Sequence, residues 1–79
     1  MSASKSVPPF VGEGMVTRQI VVRAKDVVFV KGIVEANEGL AQLFAERGGD
    51  ITLASPAARE AELDSLVDDL VREVGAMRV

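Results

Sequence analysis

The chain contains no cysteine, no histidine, no tryptophan and no tyrosine. Lack of cysteine excludes a disulfide, and lack of both cysteine and histidine excludes the usual structural zinc site, so two common staples of very small domains are missing. The same absences remove the side chains that most readily titrate near neutral pH, which argues against an enzyme. Three Phe are the only aromatics, so there is no platform on which bases would stack. A net charge of −3 and a pI near 4.8 leave no basic footprint. Neither nucleic acid nor an anionic membrane surface is an expected partner. No apolar run has the length of a membrane span or a signal-peptide core, and the expected location is cytoplasmic. No metal and no cofactor are expected.

What remains is a chain of 79 residues, 48% hydrophobic, whose apolar side chains are mainly Val, Leu, Ile and Ala. So short a chain buries a small share of its surface, and association is the simplest source of extra stability. Residues 1–15, with Pro8-Pro9, Gly12 and Gly14, read as an extended tail or linker whose Phe10 could anchor it to this domain or a neighbour. Residues 16–79 read as one domain.

The organising stretch is residues 55–75. Ala58, Ala61, Leu63, Leu66, Val67, Leu70, Val71 and Val74 recur at three- and four-residue spacing as one apolar stripe, while Glu60, Glu62, Asp64, Asp68, Asp69, Arg72 and Glu73 fill the other side. Ser55 is the expected N-cap, Pro56 the first helical residue and Gly75 the stop. Upstream, Ile20, Val22 and Ala24 alternate with Gln19, Val21 and Arg23 as in a strand. Residues 27–37 are ambiguous. The run Val27-Val28-Phe29-Val30 suits a strand, yet Val27, Val30, Ile33 and Val34 make a helical stripe behind a cap at Asp26, and the helix is preferred. Gly48-Gly49 predicts a tight hairpin turn between strands over residues 40–47 and 50–54. Pairing Arg47 with Asp50 places Leu40, Phe44, Ile51 and Leu53 on the covered face and Ala41, Leu43, Ala45, Thr52 and Ala54 on the other. Residues 76–79 suffice for a stub of a fourth strand. The expected fold is α+β, a ferredoxin-like βαββαβ sandwich with both helices on one face of an antiparallel sheet.

The segment Arg18-Gln19-Ile20-Val21-Val22-Arg23, the run from Lys25 to Ala41, the hairpin and the acidic Leu-rich helix together resemble a family of small bacterial proteins catalogued only as a domain of unknown function. Its layout is similar to that of ACT domains, which often hold an amino acid near the first strand-to-helix loop. That resemblance implies a ligand site at Ala24, Lys25, Asp26 and Val27, although the glycine common near such sites is absent here.

Candidate chemistry is sparse. Glu60, Asp64 and Asp68 form an i, i+4 acidic stripe that would suit a cation or basic partner, but a solvated face explains it more simply. Arg18, Arg23, Lys25 and Lys31 bias the start of the domain toward anions, though scattered cations usually serve solubility. The favoured reading is a non-catalytic assembly module forming a homodimer through its sheet, with Val21, Leu43, Ala45 and Thr52 on the open face and Phe10 adding to the contact, and with an unpaired sheet edge as a second route. The alternative is an ACT-like regulatory domain that binds an amino acid or small anionic metabolite.

Overall fold

The computed structural model describes residues 14–79; Phe10 and most of the expected tail lie outside them. The elements are β1 (Met15–Val21), α1 (Val27–Ala36), β2 (Gln42–Ala45), β3 (Asp50–Pro56), α2 (Glu60–Val74) and β4 (Met77–Arg78). Short 3-10 turns over Ala24–Asp26 and Ala57–Arg59 lead into the two helices. The strands form one antiparallel sheet in the order β2-β3-β1-β4, with β1 and β3 paired at its centre from Met15–Pro56 to Val21–Asp50. The fold is therefore α+β. Ile20, Ile51 and Leu53 share one sheet face and join a single core with Val30 and Val34 of α1 and Leu63, Leu66, Val67 and Leu70 of α2.

The ambiguous segment is helical. Val28 is 78% exposed, but Val30 and Val34 are enclosed. Burying each such side chain contributes about 1.5–3 kcal/mol, whereas a β-branched residue costs a helix only about 0.5 kcal/mol. Packing of the stripe outweighs the strand propensity of the run. Asp26 does not cap α1: its side chain makes no capping bond, its backbone is already helical, and the extended residue is Arg23, to which Asp26 is ion-paired at 3.1 Å. The 3-10 turn moves the chain's entry into the helix back by three residues.

A similar displacement corrects the start of α2. Ser55 and Pro56 are the last residues of β3, and the α-helix begins at Glu60. Ser55 is fully buried and pairs with Val16. Pro56 fits a central strand because its missing N–H falls on the side facing β2, which has already ended opposite Ala54. The other end of the helix is as expected. Gly75 takes φ +70°, and the N–H groups of Gly75 and Ala76 donate to the carbonyls of Val71 and Leu70 at 3.1 and 3.3 Å.

The hairpin contains the main departure from expectation. Gly48-Gly49 does sit at the centre of a tight turn, closed by the Asp50 N–H donating to the Arg47 carbonyl at 2.9 Å. The Glu46 N–H, however, donates to the Asp50 carbonyl at 3.0 Å, so Glu46 and Arg47 together oppose Asp50 in a β-bulge. The extra residue shifts the register to Leu43–Leu53, Phe44–Thr52 and Ala45–Ile51. A one-residue shift turns every side chain of a strand over. Leu43 and Ala45 thus belong to the helix-covered side and Phe44 to the open side, the reverse of the expected assignment.

Gly49 is fixed by a backbone contact. A Cβ there would lie 1.6 Å from the Val22 carbonyl oxygen, and the Val22 N–H donates to the Gly49 carbonyl at 3.0 Å. Gly32, inside α1, meets nothing within 4 Å. Gly49→Ala is therefore expected to destabilise the protein by more than the ~1 kcal/mol of a typical substitution, and Gly32→Ala to stabilise it by about 0.5–1 kcal/mol. Denaturant titration of both variants checks this, and equal effects of one sign would contradict the assignment.

Candidate functional site

The acidic stripe of α2 is matched from below by arginines of the sheet. Arg18 lies on β1 opposite Leu53, on the face that the helices cover, and only a long side chain can reach from there past the core to water. Its Nε donates to Asp64 at 2.8 Å, one terminal nitrogen reaches Glu60, and the other donates to the Thr17 carbonyl at 2.8 Å. Arg78 of β4 pairs with Asp68 in the same way. Glu60, Asp64 and Asp68 are about half exposed, as the expected solvated face would be, and are at the same time ion-paired within the fold. Among the described residues no three carboxylates gather as a metal-binding group.

A further arginine had no counterpart in the sequence reading. Arg59, in the turn before α2, donates to both oxygens of Glu62 at 2.6 and 3.1 Å and to the Gly39 carbonyl at 3.0 Å, tying the start of α2 to the loop after α1. The Arg59–Glu62 spacing is a visible i, i+3 pair, but the bond to Gly39 follows from the topology alone.

In the expected ligand segment Ala24 and Lys25 are exposed, and Asp26 and Val27 are half-buried. Ala24, Lys25 and Asp26 form the 3-10 turn, and Val27 begins α1 with its side chain against the core. Of the four cations near it, Arg18 is taken by α2 and Arg23 by Asp26, leaving Lys25 and Lys31 without ion-pair partners among the described residues. Ala24 to Val27 line none of four grooves formed by the described residues. The largest of these, about 450 Å³, runs between α1 and β2 and is lined by Lys31, Val34, Glu35, Glu38, Gly39, Ala41 and Leu43.

The sheet face away from the helices carries Thr17, Gln19 and Val21 of β1, Asp50, Thr52 and Ala54 of β3, and Gln42 and Phe44 of β2 in register. Thr52 and Ala54 are buried between longer neighbours, whereas Val21 is 37% and Met77, its partner on β4, 65% exposed. Val21 and Thr52 lie on the open face, although Thr52 is already buried within the single chain; Leu43 and Ala45 do not, because of the bulge, and Phe44 takes their place. No helix among the described residues is long and apolar enough to cross a membrane. No family model, curated protein or solved structure matches the chain, so the functional argument rests on this geometry.

The Arg18 hydrogen bond, then the charges of Arg18 and Arg78, hold the Asp64 carboxyl below the ordinary aspartate range, and Arg59 does the same for Glu62. A carboxylate whose folded pKa is depressed stabilises the fold above its unfolded pKa, near 4, and loses that contribution as pH falls through the folded value. Stability should therefore decline on acidification below about pH 4. In Arg18→Met the acid-side decline should be shallower and the Asp64 titration, followed by NMR, should move up toward the ordinary range. Identical acid limbs for the two proteins would show that the clasp is not formed in solution.

Proposed function

We propose that this chain is a non-catalytic interaction module that assembles as a homodimer through its sheet, on a ferredoxin-like scaffold of the ACT-like kind. The element order β-α-β-β-α-β and the strand order β2-β3-β1-β4 support that scaffold. One observation carries the assembly reading. Both helices bury their apolar stripes on the same side of the sheet, while the other side exposes Val21 and Met77 and half-buries Phe44, and the β2 edge carries backbone groups with no partner among the described residues. A partly apolar sheet surface beside an open strand edge is the usual ground for strand or sheet association. In a chain this short, a second copy would supply buried area that the monomer lacks.

The ligand-sensor alternative would place an amino acid or anionic metabolite near Ala24 to Val27, a short 3-10 turn and the first residue of α1, which line none of the grooves described above. Sedimentation equilibrium tests the assembly reading. At concentrations well above micromolar the expected mass is twice the 8.4 kDa of one chain. A clean single-chain mass would refute the module as proposed, and a thermal shift with amino acids or small anions would favour the sensor instead.

A further inference from the structure

We infer that β2 pairs edge to edge with β2 of a second copy, about a two-fold axis at Phe44, and that each copy thereby delivers Arg47 to the acidic groove of the other. This inference rests on the proposed assembly reading and specifies its contact.

The argument starts from the backbone. In an antiparallel ladder, hydrogen-bonded and non-hydrogen-bonded pairs alternate along the strand. The Glu46 N–H donates to the Asp50 carbonyl, so Phe44 and Gln42 are the β2 residues that bond to β3, opposite Thr52 and Ala54. Leu43 and Ala45 consequently direct their N–H and C=O groups away from the sheet. A second antiparallel strand can satisfy them only in a register that sets odd-numbered residues opposite odd-numbered ones. Pairing Leu43 with Ala45 of the second copy, and Ala45 with its Leu43, meets that condition and is symmetric about Phe44.

Side chains select this register from the others that the backbone permits. Phe44 meets Phe44 of the second copy at the non-hydrogen-bonded position, where the backbones come closest and aromatic pairs add stability. Gln42 faces Glu46, so no like charges oppose each other along the new ladder. Arg47 of the second copy comes alongside Ala41, at the wall of the 450 Å³ groove that also holds Glu35 and Glu38. Those three charged residues have no ion-pair partner among the described residues. Over an apolar floor of Val34 and Leu43 the groove sets one cation, Lys31, against two carboxylates, so an excess of one negative charge is left for a cation from the second copy. Sliding the strands to set Leu43 opposite Leu43 would separate the two Phe44 rings and carry Arg47 past the carboxylates.

The absence of cysteine allows single-cysteine probes in the full chain. At the Phe44 position the two Cα atoms would stand about 4.5 Å apart, within disulfide range. Phe44→Cys should therefore give a covalent dimer under mild oxidation. Gln19→Cys, on β1 and on the same sheet face, should stay uncrosslinked. Cross-linking of Gln19→Cys without Phe44→Cys would overturn the edge contact while leaving the assembly reading in place; a parent protein that sediments as a monomer would remove both. Ala45→Pro supplies a backbone test, since it deletes an N–H that the β2–β3 ladder does not use. It should convert the dimer to a monomer with unchanged far-ultraviolet circular dichroism, and a persistent dimer would overturn the proposal. Should that variant fail to fold, the cysteine pair decides. Arg47→Glu should weaken association several-fold, and mixing it with a Glu38→Arg chain should restore pairing. Failure of that rescue would refute the delivery of Arg47.

Discussion

The contact between Gly49 and the backbone of Val22 is the constraint on which the sheet depends. It brings the end of β1 against the hairpin closely enough that no side chain fits between them. With that end fixed, Asp50 takes up its place opposite Val21, and the bulge at Glu46 and Arg47 decides how β2 leaves the turn. One inserted residue thereby determines that Leu43 lies under the helices, that Phe44 looks the other way, and that Leu43 and Ala45 expose their peptide groups at the edge. Turn, core composition and sheet edge are consequences of a single local geometry.

Charge acts on a different quantity. Exposed ion pairs contribute little to stability, typically below about 1 kcal/mol each. Yet Arg18 and Arg78 rise from two different strands to the acidic side of α2, while Arg59 reaches from the start of that helix to the loop after α1. Apolar burial of Leu63, Leu66, Val67 and Leu70 holds the helix on the sheet and sets its rotation to within the width of that stripe. Directional bonds along its flank fix that rotation and favour one seating of the stripe over its neighbours.

Helix α2 was legible because its apolar period is long and consistent, α1 only by weighing its stripe against a β-branched run, and the αL stop at Gly75 followed from glycine's freedom there. The starts of the two helices were not. Asp26 and Ser55 have the chemistry of caps, but a 3-10 lead-in of three residues precedes each helix, and nothing in the side chains announces it. The facing of β2 was misread for a related reason: Leu43 and Phe44 are adjacent and both apolar, so either parity gives a plausible inner face, and a bulge leaves no trace in composition. The partners of the acidic stripe were partly readable. Arg18 shares its parity with Ile20 and Val22, which places a cation on the covered face and demands a carboxylate above it, but the sequence does not reveal which acid, since Asp64 is 46 positions away.

The central position of β1 bears on how the chain reaches this structure. Its partners are β3 and β4, and neither adjoins it in sequence, so its nearest strand pairing, Val21 with Asp50, encloses all of α1, β2 and the turn. The helices and the β2–β3 hairpin can form from local contacts within microseconds, but β1 must wait until a loop of that size has closed, at an entropic cost that no local contact offsets. β1, made ahead of the other described strands, is thus among the last parts to be fixed, and until then the β1-facing edge of β3 and the apolar stripes of both helices stand open to other chains.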